Sequence, residues 1–265
     1  MTASIIEKWY KALNFPVKYD EEFYKALNEI EIPSDLTADS YPLDSADGKK
    51  NLLAYLYFCE KLQSDYEEAK ISREILMDTL SDIVRWTNTW SDIKGELYLG
   101  ELEFLKCHMD VELFKIGRLE FYPKPLLFDI PQIGAKAGDT VVTVHIPSGE
   151  KLVYEECVRS LERAKEFYAR HFPNLDYKCF LCTSWLMDGT LSEILPSDSN
   201  ILKFQTIFKY VRTEESDAII HYVFGWDKTI ADLETLVCKT NFAKGVKNRL
   251  LNGGKFYKTS GYYEK

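Results

Sequence analysis

The sequence predicts an α+β protein, a helical first half followed by a mixed β-sheet half flanked by helices. Two observations carry this. Apolar residues recur at three- and four-residue spacing from Ser4 to about Asp92; beyond residue 113 runs of β-branched and aromatic residues alternate locally and are interrupted by an amphipathic helix. A chain of 265 residues, 46% hydrophobic and 28% charged, can bury a core in one or two domains. The change of period sets the expected boundary, with a helical domain over residues 1–112 and a sheet domain over 113–265.

In the first half, Ile5, Trp9 and Leu13 recur at four-residue spacing, and Phe23, Ala26 and Leu27 continue on the next segment. Leu52, Leu53, Leu56 and Cys59 mark a longer helix; Ile71, Ile75, Leu76, Leu80, Ile83 and Trp86 mark another; Tyr98, Leu102, Leu105 and Met109 predict one more. Residues 33–42 read as a loop, because Pro, Ser and Asp favour turns over helix continuation.

In the second half, residues 114–121 and 140–146 read as strands, separated by a Pro- and Gly-rich loop. Val158, Leu161, Ala164 and Tyr168 form one stripe of a helix over 153–171, which Pro173 stops. Residues 177–186 are the next strand, and a short helix begins near Ser199. Residues 218–224 read as a further strand from their β-branched and aromatic content, and the Gly- and Tyr-rich end offers a last one. A strand–helix–strand order needs a crossover, right-handed by default, and so at least one parallel pair of strands. Ligands in such sheets bind where parallel neighbours splay.

A formal net charge of -9 and a pI near 5.1, without a basic face, argue against a nucleic-acid partner. The first residues lack the apolar core of a signal peptide. No later stretch approaches the roughly 18 uninterrupted apolar residues of a membrane helix, so a cytoplasmic protein without membrane association is expected. Most of the six cysteines read as buried thiols in a reducing compartment. Cys179-x-x-Cys182 has the spacing of half a metal or redox site, but its surroundings read as a strand and no second Cys/His pair accompanies it, so no metal is expected.

Three segments carry candidate chemistry. His145 ends a strand, and Pro147, Ser148, Gly149 and Glu150 turn the chain into the next helix, whose exposed N–H groups and dipole suit a pyrophosphate. Ordinary turn chemistry uses the same Pro, Ser and Gly residues. Cys182 and Ser184 lie toward the carboxyl end of the following strand, where a thiol or hydroxyl is placed to touch a substrate; alternation alone also explains them, with Cys182, Ser184 and Leu186 on one face. Asn200 follows a capping turn and is a candidate for contacting an amide, beside the plain reading of this segment as a helix N-cap.

Taken with Gly117-Arg-Leu119 and Phe121, His145-Ile-Pro147 with Gly149, Ser160-Leu-x-x-Ala164 reaching Phe172-Pro173, Cys182-x-Ser-Trp-Leu186, and Ser199-Asn-Ile201 with Phe204, the chain resembles bacterial acyltransferase-domain proteins. These pair an N-acyltransferase N-terminal helical domain with a GNAT-like C-terminal domain. The resemblance implies a GNAT-like mixed sheet, acyl-CoA or acetyl-CoA as co-substrate and a small-molecule amine as acceptor. It implies His145 as base, Ser184 or Cys182 orienting the thioester or acting as acid, and Pro147 to Glu150 with Asn200 at the cofactor. Covering the sheet and forming one wall of the acceptor pocket is the economical role expected of the helical half. The usual acetyltransferase phosphate loop, Gln/Arg-x-x-Gly-x-Gly/Ala, is replaced here by Pro147-Ser-Gly-Glu150, which motivates the alternative of a non-catalytic GNAT-like module binding a small molecule or a protein. A Cys182–His145 hydrolase is a third reading, and it lacks the Gly-x-Cys-x-Gly elbow such a nucleophile uses.

Overall fold

The computed structural model describes residues 2–37 and 47–265. The helical part comprises α1 (Thr2–Ala12), α2 (Asp20–Glu29), α3 (Gly48–Glu68), α4 (Arg73–Lys94) and α5 (Leu102–Met109), as the periodicity predicts. The predicted loop over 33–42 is without helix or strand through Thr37, and its remainder lies outside the described residues. Side-chain caps fix where the long helices begin: the Asp47 carboxylate accepts from Lys50 N–H (2.9 Å) and the Ser72 hydroxyl from Ile75 N–H (3.3 Å). Gly95 at φ +75° ends α4 in the left-handed conformation that glycine adopts without strain. The helix expected from Tyr98 starts only at Leu102, because Leu97–Gly100 runs irregularly with Tyr98 N–H bonded to the Ser91 hydroxyl at 2.9 Å.

The sheet contains β1 (Phe114–Ile116), β2 (Leu119–Pro125), β3 (Thr140–His145), β4 (Cys179–Ser184), β5 (Lys209–Glu215) and β6 (Tyr257–Glu264), in the order β1-β2-β3-β4-β6-β5. The parallel pair implied by strand–helix–strand order is β3–β4, joined through α6 (Tyr154–His171); β4 and β5 each pair antiparallel with β6. Two expectations need correction. The single strand over 114–121 is a hairpin, since Ile116 faces Leu119 and Gly117 at φ +70° forms half of a two-residue turn that only positive φ closes tightly. The strand expected over 218–224 is a helix, α8 (Ala218–Phe224), ended by Gly225 at φ +128°. Its β-branched residues bury Ile219 and Ile220 against Leu191, Leu233 and Val246, with Val223 packed on the same cluster, and that helical-face burial overrides their strand preference. The strand that does occur nearby, β5, is a charged and largely exposed edge, so it shows no apolar alternation.

The remaining helices are α7 (Asn200–Gln205), capped by the Ser199 hydroxyl accepting from Ile201 N–H at 3.3 Å, and α9 (Asn241–Leu251). Contacts divide the chain into two compact units, one of Met1–Tyr122 with Phe167–Pro173, the other of Pro123–Glu166 with Asn174–Lys265. In the first, the buried Trp9 indole donates to Glu60 at 2.9 Å, and Phe114 packs on Tyr66 and Phe167 with ring centroids 5.8 and 4.8 Å away. In the second, one face of β4, Cys179 and Leu181, joins Leu126, Ile130, Val141 and Tyr262 in a buried cluster. Among the described residues no helix is long and apolar enough to cross a membrane.

Candidate active site

The parallel register of β3 and β4 runs Val142↔Phe180, Thr143↔Leu181, Val144↔Cys182 and stops there. Beyond that pair β3 continues to His145, and β4 continues to Ser184 while paired only with β6, where Ser184 faces Thr259. The ladder between the two strands thus ends at Val144 and Cys182, with half-buried His145 one residue beyond it on β3 and half-buried Ser184 two residues beyond it on β4. The carboxyl ends of parallel neighbours are where ligands of such sheets bind. The Ser184 hydroxyl accepts from Leu186 N–H at 3.1 Å and opens the 3₁₀ turn Trp185–Met187; its own O–H is left as a donor.

From His145 the chain passes through residues 146–153 into α6. Pro147 is buried; Ser148, Gly149 (φ +95°) and Glu150 are exposed. The loop delivers the first turn of α6 to a cleft of about 470 Å³ lined by Tyr154 and Glu155 on one side and by Ser197, Leu202, Lys203 and Thr206 on the other. None of residues 147–150 lines this cleft. None of the six lining residues was singled out from the sequence; Asn200, which was, starts the helix that carries Leu202 and Lys203. The signal available was the pairing of a Ser/Asn helix start with a lysine one turn on.

Charge sets how an anion lies here. The α6 N-terminus carries Glu155 and Glu156 in its first turn, with exposed Glu150 just before it. Full carboxylate charges outweigh the roughly half-unit positive end of a helix dipole, so a pyrophosphate seated on this terminus is opposed. Lys203 across the cleft is the lining cation.

The other expected residues fall away from the opening. Cys182 is fully enclosed; burial pushes its thiol well above the ordinary cysteine range and nearby Cys157 adds to the effect. Such a thiol stays protonated and behaves as a small apolar residue. Cys179 lies three positions away, on the opposite strand face, so the Cys-x-x-Cys pair does not converge. Asn200 is half-buried, and Ser199 supplies the cap. Asp188, also buried, binds Thr190 N–H and Tyr257 N–H at 2.8 Å each and so ties the turn after β4 to β6.

A second titratable cluster, which the sequence reading did not single out, is enclosed in the helical unit. Asp82 (α4) accepts from Arg85 Nε at 2.7 Å, His108 Nε2 (α5) lies 3.5 Å from its other oxygen, and Glu120 (β2) lies 3.5 Å from Arg85 Nη2. Asp82, His108 and Glu120 are at most 2% exposed. Burial pushes the Asp82 carboxyl up, but His108 and Arg85 outweigh it and hold the group well below the usual carboxylate range. Burial pushes Glu120 well above that range and the Asp82 charge adds to the effect, so Glu120 is neutral beside an ionised Asp82.

The family model of the GNAT-like C-terminal domain matches residues 113–263, more than half of the chain. Among solved structures, an acyltransferase in complex with decanoyl-CoA is similar at TM-score 0.71 and 23% identity, over 99% of this chain and 77% of that one. An acyltransferase in complex with decanoyl-CoA and teicoplanin reaches 0.78, and one with CoA and 10C-teicoplanin reaches 0.80, each at 18% identity over 97% of this chain and 87% of the other. At those identities the likeness is one of fold, and it extends through the helical half. No curated protein matches the chain. With the order and pairing of its strands and the matched segment together, this chain belongs to the GNAT-like C-terminal domain family.

Proposed function

We propose that the protein is an acyl-CoA-dependent N-acyltransferase that moves an acyl group to a small-molecule amine, with residues 113–265 as the catalytic domain and residues 1–112 as a helical partner domain. The observation that carries this reading is the parallel β3–β4 pair joined through α6, whose ladder ends at Val144 and Cys182 with His145 and Ser184 just beyond it, in the unit that also holds the cleft between the first turn of α6 and α7. The pantetheine arm lies along the ends of β3 and β4, and its phosphates sit toward Lys203. The similar acyltransferases with bound decanoyl-CoA support the choice of donor.

In the reaction His145 takes a proton from the acceptor amine, whose nitrogen attacks the thioester carbonyl. A C–N bond forms, the C–S bond breaks, and the leaving thiolate takes a proton. The Ser184 O–H is placed to donate toward the thioester or the departing sulfur. Cys182 has a packing role in this scheme. Calorimetric titration with CoA, acetyl-CoA and decanoyl-CoA tests the proposal, on the intact protein and on Thr206→Trp. Thr206 is an exposed cleft residue in ordinary helical backbone, so the bulky ring fills the space without straining a turn. Saturable binding that the variant loses supports the site; binding unchanged by the variant moves the cofactor elsewhere.

One observation favours a second reading, a GNAT-like module that binds without catalysis: Glu150, Glu155 and Glu156 crowd the helix start where phosphates would lie. That reading predicts no free thiol released from any acyl-CoA in the presence of amines.

A further inference from the structure

Between β5 and β6 the chain inserts α8, a 3₁₀ turn (Ile230–Glu234) and α9. The interior of this insertion is complete: Leu191, Ile219, Ile220, Leu233, Val246, Leu250 and Phe256 are all buried. Yet Tyr222, on α8 but outside this cluster, leaves 48% of its surface in solvent. Its ring meets Trp226 at 5.2 Å and 65°, making an open aromatic corner. Trp185 backs Tyr222 (5.8 Å, 27°), Phe242 backs Trp185 (6.3 Å, 27°), and His221 backs Trp226 (5.8 Å, 12°). Tyr222 and Trp226 stand outside the buried cluster, while Trp185 and Phe242 behind them pack on it; half-exposed rings held by their neighbours in this way mark a surface suited to a ligand.

The corner has a fixed relation to the candidate active site within the same unit. Trp185 immediately follows Ser184, where β4 ends two residues beyond its last pair with β3. Leu202, which lines the cleft, packs with Trp185 and Phe242 on the same apolar cluster. A group stacked on Tyr222 is thus one ring away from the end of β4.

We infer that Tyr222 and Trp226, braced by Trp185, form the platform that receives the acyl acceptor, and that the acceptor carries a flat apolar face next to its amine. This deepens the N-acyltransferase reading and rests on it. An aromatic ring and the apolar face of a sugar share this chemistry, and two probes separate them. KM is measured by thiol release for tryptamine, glucosamine and 1,4-diaminobutane, the last having no flat face, with the protein intact and as Tyr222→Ala and Tyr222→Phe. Tyr222→Ala is expected to raise KM for the ring-bearing probe the protein prefers by about 2- to 10-fold. Acyl-CoA affinity and the diaminobutane KM stay unchanged, and Tyr222→Phe, which keeps the ring, behaves as the intact protein. Equal KM values for the three probes, or no effect of Tyr222→Ala, overturn the inference. So does a concentration-dependent dimer in sedimentation that Tyr222→Ala abolishes, since a second copy would then occupy the corner. If no acyl-CoA binds, the acyltransferase reading fails by itself, and the platform is decided by direct titration of the same probes against the same variants.

Discussion

The enclosed Asp82–Arg85–His108–Glu120 network of the helical unit and the open His145–Ser184 site of the sheet unit use similar residue types to opposite ends. In the first, the two carboxyls and the imidazole are removed from water, and a neighbour must answer any charge they carry. Arg85 and His108 favour the ionised form of Asp82, whereas burial and the Asp82 charge favour the neutral form of Glu120. In the second, His145 and Ser184 are half-exposed, and the cleft in the same unit mixes a lysine, a glutamate and hydroxyls within reach of solvent. A perturbed, buried ionisable cluster is often taken as the mark of a functional site. Here the stronger perturbation lies in the network that fits a structural role, and the candidate chemistry lies where polar groups remain accessible. Accessibility at the carboxyl ends of a parallel strand pair is what selects the candidate site in this molecule.

The largest expected contrast comes from His145→Ala. It lowers the rate of acyl transfer about 10²- to 10⁴-fold, the usual contribution of a general base, and leaves acyl-CoA affinity and the urea midpoint unchanged. Steady-state thiol release with a parallel unfolding curve reads both; a variant that unfolds early would place His145 with the structural residues. Next is Asp82→Asn, which leaves Arg85 facing no ionised partner in Asp82 and costs about 3–5 kcal/mol of stability by urea denaturation. A loss under about 1 kcal/mol would show that water answers these charges after all.

Glu120→Gln probes the same network through pH. A carboxyl with a raised folded pKa contributes its full share below its unfolded pKa, near 4.3, and loses it progressively as pH rises toward the folded value. The intact protein should therefore lose stability relative to Glu120→Gln between about pH 4.3 and neutrality, by about 1.4 kcal/mol for each unit of pKa shift expressed. Asp82 acts in the opposite sense: its contribution is present above its unfolded pKa and is lost as pH falls below about 3.9. Parallel pH–stability curves for the intact protein and Glu120→Gln would refute a neutral Glu120. The smallest effects belong to the cleft: Lys203→Glu weakens CoA binding and Glu155→Gln strengthens it, each by a few-fold at low salt and less at high salt. Equal affinities would place the phosphates away from both residues.

Much of this was legible beforehand where local physics decides. The first long helices follow from apolar spacing, β3, α6, β4 and α7 from period and capping, and the strand–helix–strand order gave the β3–β4 parallel pair. Segments failed where burial, rather than local preference, chose the structure. Ile219 and Ile220 are packed as a helix face, and β5 is recruited as a polar edge by pairing with β6, although nothing in its own pattern asks for it. At the candidate site His145 and Ser184 were legible as residues at strand ends. Tyr154, Glu155, Ser197, Leu202, Lys203 and Thr206 were not, because a cleft between two helices has no signature in either helix alone.

The sequence by itself determined the element types in most of the chain and the residue chemistry at the ends of β3 and β4, since hydrophobic period, caps and turn residues act over a few positions. Tertiary structure alone decided that Cys182 is sealed in the core while Ser184, two residues on, reaches the opening. It also set Glu120 beside Asp82 although 38 positions separate them in the chain. Burial and the removal of water from a charge are properties of the assembled neighbourhood, and no single segment carries them.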